Sequence, residues 1–290
     1  MIITAGVIFA LIAMVGWGFG DFFIQKSARK SGDWETLFII TFFGALALTP
    51  FVYHEIPALF SFNKSLWIMF LASAILFFAA LLDFEALKKG KLDVVEPIWS
   101  LEIPISAFLA FLIVRESVSI LQVSLIIFLI VGLALVSFKS KVFSKKVYFE
   151  KGVLIAALAA TLMGAANFFV GYGSRATNAL MMNWFLNVFM AVFSFAFIIY
   201  TSDFGKMLKH FKTEKRTWLS MSIFDNIAWI AFAFSMTLSP IAITVALSES
   251  YIIIAVLLGV FVNKELLHSH QKIGLMIAIA SALVLATTIA

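Results

Sequence analysis

The chain of 290 residues contains no cysteine. This excludes disulfides, thiolate metal sites and cysteine nucleophiles, and says nothing about compartment. Charge is scarce as well: 13% of residues are Asp, Glu, Lys or Arg, against about 25% in a soluble domain. No H-E-x-x-H is present, and the four histidines, His54, His210, His268 and His270, all fall in or near predicted loops. His268 and His270 bracket one serine and are read as a solvated loop rather than a metal site. There is no Walker or Rossmann glycine pattern, so direct use of ATP would need a separate subunit. No cofactor or metal is expected. The net charge of +5 resides in short loops and forms no basic arm or helix, which argues against nucleic acid.

What the chain has instead is hydrocarbon. Hydrophobic residues make up 63% and mean hydropathy is +1.06. A spanning helix needs roughly 20 mostly apolar residues, and ten such stretches occur: 3–25, 35–53, 66–87, 94–114, 118–138, 152–173, 179–201, 217–238, 241–263 and 271–289. The expected fold class is therefore an all-α integral membrane protein with ten transmembrane helices. The opening MIITAGVIFALIAMVGWGFG has neither a basic n-region nor an A-x-A cleavage site, and reads as a retained first span. The 33 phenylalanines are read as lipid-facing or packing side chains.

Loop charge gives an orientation. The loops after the odd-numbered spans carry 18 of the 21 Lys and Arg, while the other side has only Lys64, Arg115 and Arg175. By the positive-inside rule the first group is cytoplasmic and both termini lie outside. The expected location is the cell (inner) membrane.

Against this apolar background, Glu102, Asp225 and Glu249 lie near the middle of spans with no Lys or Arg at their depth. A charged side chain there costs about 2.5 to 3.5 kcal/mol on insertion scales, so such residues mark functional pathways. Glu102 is about eight residues into its span, roughly 12 Å deep at 1.5 Å per residue. It stands between Pro97 and Pro104, each of which removes a backbone donor and frees carbonyls that can line a cavity. A protonated acid bonded to a neighbouring helix is the alternative reading of Glu102.

The sequence also repeats. GVIFALIAMVGWGFGDFFIQKSAR, from Gly6, lies over GVLIAALAATLMGAANFFVGYGSR, from Gly152, and places Asp21 over Asn167. The ends of the fourth and ninth spans align too, matching Arg115 to Lys264 and Glu116 to Glu265. Glu249 then stands opposite Ser100 and Glu102 opposite Tyr251, so each half supplies one acid to the same layer. Asp225 has no acidic counterpart, since Leu76 aligns with it. Five spans per copy force the second copy to enter the membrane upside down. Two inverted five-helix repeats, with substrate between them near the midplane, are a transporter architecture.

WGFGDFFIQKSARK, EALKKGKLDVVEPIWSLEIPISAFLAFLIVRESVS and SPIAITVALSESYIIIAVLLGVFVNKELLHSHQKIGL together resemble EamA-type members of the drug/metabolite transporter superfamily. The most specific element is the short Glu-containing turn after spans four and nine, Arg115-Glu116 and Lys264-Glu265. The resemblance covers nearly the whole chain. It implies a first EamA-type repeat over 3–138, a basic linker loop over 139–151 and a second repeat over 152–289. It also implies a carrier of small metabolites with a cavity lined by spans 1, 3, 4, 6, 8 and 9. Many members are described with both termini in the cytoplasm; the loop charge here says the opposite, and the local count is preferred.

The candidate binding set is Glu102, Glu249, Asp225, Asp21, Asn167, Trp17, Trp99, Trp229 and Tyr251. Trp229 follows Asp225 by one turn and Trp17 precedes Asp21 by one turn, so each pair shares a face. An acid beside an aromatic suits a cationic or amine-bearing group. Asp83, Glu85 and Glu96 are nearer the loop side: Glu85 can pair with Lys88 or Lys89, and Asp83 and Glu96 can reach water. Glu116 and Glu265 are expected to cap the next span or bridge loops, and Asn183 and Asn187 to bond neighbouring helices.

The expected function is secondary transport, as an exporter of a small polar or amine-bearing metabolite. A carboxyl group that leaves water binds a proton more readily, so proton coupling is physically reasonable. An intramembrane lipid-modifying enzyme or a non-transporting membrane scaffold are the alternatives. The chain is not expected to be an enzyme. The expected partners are a small-molecule substrate and the lipid bilayer, with no nucleic acid and a functional monomer.

Overall fold

A computed structural model of the protein describes residues 4–61, 63–89, 98–137, 151–201, 204–262, 264 and 266–288. Glu96, Pro97, Glu265 and the linker 139–150 lie outside the described residues, as do the side chains of Arg29, Lys88 and Lys89. Hydrocarbon offers the backbone no hydrogen-bond partners, so an apolar run long enough to cross it closes its own bonds as a helix. The helices are α1 (Ala5–Ser31), α2 (Asp33–Val52), α3 (Lys64–Lys89), α4 (Glu102–Leu109), α5 (Ile120–Ser137) and α6 (Lys151–Ala176). They continue as α7 (Ala179–Tyr200), α8 (Phe204–Thr213), α9 (Lys215–Leu238), α10 (Ile241–Ser248), α11 (Tyr251–Val262) and α12 (Ser269–Ala286). Among the described residues, nine segments are long and apolar enough to cross a membrane, and Glu102–Val114 is a shorter apolar one.

Helix pairing displays the inverted repeat. The first span, α1, packs most extensively on α9, the eighth; the sixth, α6, packs in the same way on α3, the third. The second and seventh spans (α2, α7) pair with each other, as do the fifth and tenth (α5, α12). Each contact therefore has a counterpart when spans one to five are exchanged with six to ten. Close approaches repeat as well. A Cβ built on Gly18 would lie 2.6 Å from Ile254 Cβ, and one on Gly164 would lie 2.9 Å from Ile105 Cβ. Gly18 aligns with Gly164 and Ile105 with Ile254, so two equivalent crossings each depend on a missing side chain.

Two expectations are corrected. Span nine, expected to be continuous over 241–263, is two helices separated at Glu249-Ser250. No proline breaks it. Instead Ser248 Oγ donates to Thr244 O at 2.8 Å and Ser250 Oγ donates to Ala246 O at 2.8 Å. Serine hydroxyls that bond back to the preceding turn weaken and bend a helix. The fourth span turns at Ser100-Leu101, the aligned positions, before α4 begins at Glu102. Pro104 sits third in α4, within the first turn, where a missing N–H costs nothing.

The second correction is the segment between spans seven and eight, which contains the helix α8. Phe204, Met207, Leu208 and Phe211 recur at i, i+3, i+4 and i+7, the spacing of an apolar stripe. Met207 is buried with Trp218 and Ile40, and the Phe211 and Trp218 rings lie 5.2 Å apart.

Candidate functional site

Between the halves lies a cavity of about 510 Å³. Its wall is built from helical stripes. Trp17, Asp21, Ile24 and Ala28 face it from α1; Leu76, Ala80 and Asp83 from α3; Asn183, Leu186, Asn187 and Met190 from α7. These spacings each keep to one helical face. Asp33, at the start of α2, and Ala28, near the end of α1, also line it. The cavity thus runs from mid-membrane to the end where α1 meets α2, the side of the basic loops. The resemblance implied six lining spans; α2 and α7 contribute as well.

All nine candidate residues lie on this wall. The tandem breaks bring the acids together: Glu102 opens α4, and Glu249 sits at the break before α11. Asn167, 1% exposed, reaches between them. Its Nδ2 donates to Glu102 Oε2 at 3.2 Å and to Glu249 Oε1 at 3.2 Å. One amide from the second half therefore holds one acid from each half. Glu102 stands in the first turn of α4, where the helix dipole favours negative charge, whereas Glu249 ends α10, two residues before α11 begins.

Asp21, which aligns with Asn167, faces the Tyr251 hydroxyl and lies within electrostatic reach of Asp83, Asp225, Glu102 and Glu249. Beside it the aromatic residues converge. The Trp17 ring lies 5.2 Å from Trp229, edge-on at 79°, and 6.4 Å from Tyr251. Trp99 lines the cavity and its indole faces the Asp83 carboxyl. No Lys, Arg or His is among the described residues that line the cavity.

Asp83 is outside the candidate set, and Asn183 and Asn187 are expected from the sequence only to bond neighbouring helices. Asp83 was set aside as able to reach water, yet it lies half-buried on the cavity wall. A signal existed: Leu76 aligns with Asp225, and Asp83 is seven residues beyond it on the same stripe. The asparagines do bond neighbouring helices. Asn183 Nδ2 donates to Trp229 O at 3.3 Å and Asn187 Nδ2 to Asn226 Oδ1 at 3.2 Å. They line the cavity as well. Asn226, next to Asp225, turns away and donates to Ile40 O at 3.1 Å. His268 caps α12 together with Gln271.

Beyond the opposite end of the cavity lies a polar knot. Arg175, at the end of α6, pairs with Glu116 at 2.7 Å. The same guanidinium donates from Nε to Met236 O at 2.7 Å and from Nη2 to Ser239 O at 2.8 Å, the free carbonyls ending α9. Glu116 Oε1 also accepts from Ile241 N at 3.1 Å, capping α10. Expected to cap the next span in the chain or to bridge loops, Glu116 caps a helix of the other half. Ser235 Oγ adds a bond to Gly6 O at 2.7 Å and lies 2.9 Å from Thr244 Oγ1.

A ten-span inverted repeat around a central cavity lined by acids and aromatic rings defines the class of membrane carriers. The comparisons agree with the geometry. The EamA-like transporter family matches residues 4–138 and 150–287, one match per repeat. The chain belongs to the EamA-like transporter family and is a membrane transporter of the drug/metabolite transporter superfamily. Among solved structures, one crystal structure is similar with a TM-score of 0.75 at 14% identity, covering 98% of this chain and 96% of its own. At that identity the likeness speaks for the fold. No curated protein matches the chain by sequence.

Proposed function

We propose that the protein is a secondary transporter that exports a small amine-bearing metabolite by alternating access, in exchange for protons. The observation that carries this reading is the pair Glu102 and Glu249 held by Asn167 inside the cavity. Two carboxyl groups on one amide, with no cation lining the space, leave a place for one positive charge. Either a proton or an ammonium group fills it, and competition between them couples the two fluxes. Tryptophan faces nearby add attraction for an ammonium.

Loop charge supports the direction. If the basic loops are cytoplasmic, the end lined by Ala28 and Asp33 faces the cytoplasm and the cavity loads from inside. The Arg175–Glu116 knot then closes the outer end, and the inverted halves exchange roles when the cavity reopens outward. One chain encloses the cavity, which supports a functional monomer. The setting with basic loops inward is the cell membrane.

Reconstitution into proteoliposomes tests the reading. Flux of a labelled primary amine should respond to an imposed pH gradient, and Glu102→Gln and Glu249→Gln should each abolish that response. Unchanged rate and proton stoichiometry in both variants would remove the assignment.

A further inference from the structure

The charge of the cavity specifies the substrate more closely than a single amine does, an inference that rests on the transport reading above. Six carboxyl groups line the space, those of Asp21, Asp33, Asp83, Glu102, Asp225 and Glu249, and no basic side chain among the described residues does so. A zwitterion or a phosphate ester would bring its own negative charge into this field without an Arg or Lys to receive it.

A divalent metal ion is the other obvious multivalent cation, but the acids are not gathered for one. Among the described residues, no group of three or more acids or histidines is placed to hold a metal ion. Five of the six acids fall into two sets by the elements that carry them. Glu102 and Glu249 share Asn167 at the helix breaks. Asp21 and Asp225 sit on α1 and α9, one turn from Trp17 and Trp229 respectively, with Asp83 across from them on α3 and within electrostatic reach of Asp21. The touching Trp17 and Trp229 rings adjoin both sets, through Tyr251, two residues beyond Glu249, and through the one-turn spacing to the aspartates. One helical turn of four residues is about 6 Å, the span of a short methylene chain.

We propose that the cavity takes linear aliphatic diamines and longer polyamines. One ammonium lies between Glu102 and Glu249, a second lies among Asp21, Asp83 and Asp225, and the methylenes lie against Trp17 and Trp229. A distributed anionic track with an apolar aromatic wall matches a cation whose charges are separated by hydrocarbon, and matches neither a point charge nor a bulky single cation.

Four probes test this on the full-length protein in proteoliposomes: 1,4-diaminobutane, 1-aminobutane, 4-aminobutanoate and magnesium. The diamine should show a half-saturation at least tenfold below that of the monoamine, with no flux of the zwitterion or the metal. Asp21→Asn and Asp225→Asn should shrink the diamine-to-monoamine preference toward one. Tryptophan fluorescence of the unmodified protein gives a second readout, since the diamine should perturb it at lower concentration than the monoamine. Equal handling of the two amines would overturn the second-ammonium site and leave amine transport standing. Flux of 4-aminobutanoate with none of either amine would overturn both.

Discussion

Arg115 and Lys264 share a left-handed backbone, with φ of 57° and 55°, and occupy the same position in the two repeats. Among the described residues they are the only non-glycine positions of that kind. Each follows a broken span of its half, so the turn that the sequence repeat marked by a basic residue and a glutamate is a conformational repeat too. A left-handed L-residue costs about 1–2 kcal/mol, which the surrounding structure sustains twice. Arg115→Val should therefore lower thermal stability, because a β-branched side chain fits this region worst, whereas Arg115→Gly should not. Thermal unfolding of the purified variants in one detergent decides between them.

The crossings at Gly18 and Gly164 should tolerate no side chain. A Cβ on Gly164 would stand 2.8 Å from Glu102 O, and one on Gly18 would meet Ile254. Overpacking of this kind costs about 1–3 kcal/mol. Because Gly164 touches the backbone at Glu102 itself, Gly164→Ala should impair transport more than stability, and Gly18→Ala should follow the same pattern. Initial rates in proteoliposomes, set against melting temperature, measure the two effects separately.

Asn167→Ala should remove the donor common to Glu102 and Glu249 while leaving the cavity's shape nearly intact. Binding and exchange should both weaken, by at least tenfold in half-saturation for an amine. Asn167→Gln keeps the amide on a longer arm and should recover part of the loss. Identical behaviour of the two variants would show that Asn167 acts through packing.

The seal at Arg175 and Glu116 offers a direct accessibility test, because the chain has no cysteine of its own. A single Ser239→Cys beneath the knot should react slowly with a membrane-impermeant maleimide. Adding Glu116→Gln leaves the guanidinium without its carboxylate partner, and the labelling rate should rise several-fold. An unchanged rate would mean that apolar packing alone closes this end.

At the other end, Lys30 Nζ lies 2.7 Å from Glu214 Oε1, and this bond holds the Glu214 carboxyl below its ordinary value. A lowered value means that the pair stabilises the fold above the unfolded value of about 4.3, and that the contribution disappears as pH falls through the folded one. The pair is solvent-exposed and its effect is small. Lys30→Ala should lower the melting temperature slightly at neutral pH in low salt, and the difference should vanish in acid or high salt. Transport by Lys30→Ala should match the parent.

The sequence carried much of this molecule. Spans are legible because hydrocarbon demands uninterrupted apolar runs, and the repeat is legible because its copies still share WGFGDFFI-like and Glu-turn segments. The deep positions of Glu102, Asp225 and Glu249 were visible as acids far from any loop. Asp83 was not, since its closeness to a loop suggested water, and sequence does not tell which face of α3 turns inward. Span nine hid its break because serine hydroxyls, not proline or glycine, make it. The helix α8 escaped because its apolar stripe is too short for a span.

By itself, then, the chain determined a ten-span membrane protein of two inverted halves with acids at mid-depth, since composition and repetition are local properties of a polypeptide. Only the tertiary structure decided that Asn167 holds Glu102 and Glu249 together, that Glu116 caps a helix of the opposite half, and that Arg175 pairs with Glu116 across the two halves. Those facts depend on contacts between residues 59 to 125 positions apart, set by how α1, α3, α6 and α9 pack, and no local pattern encodes them.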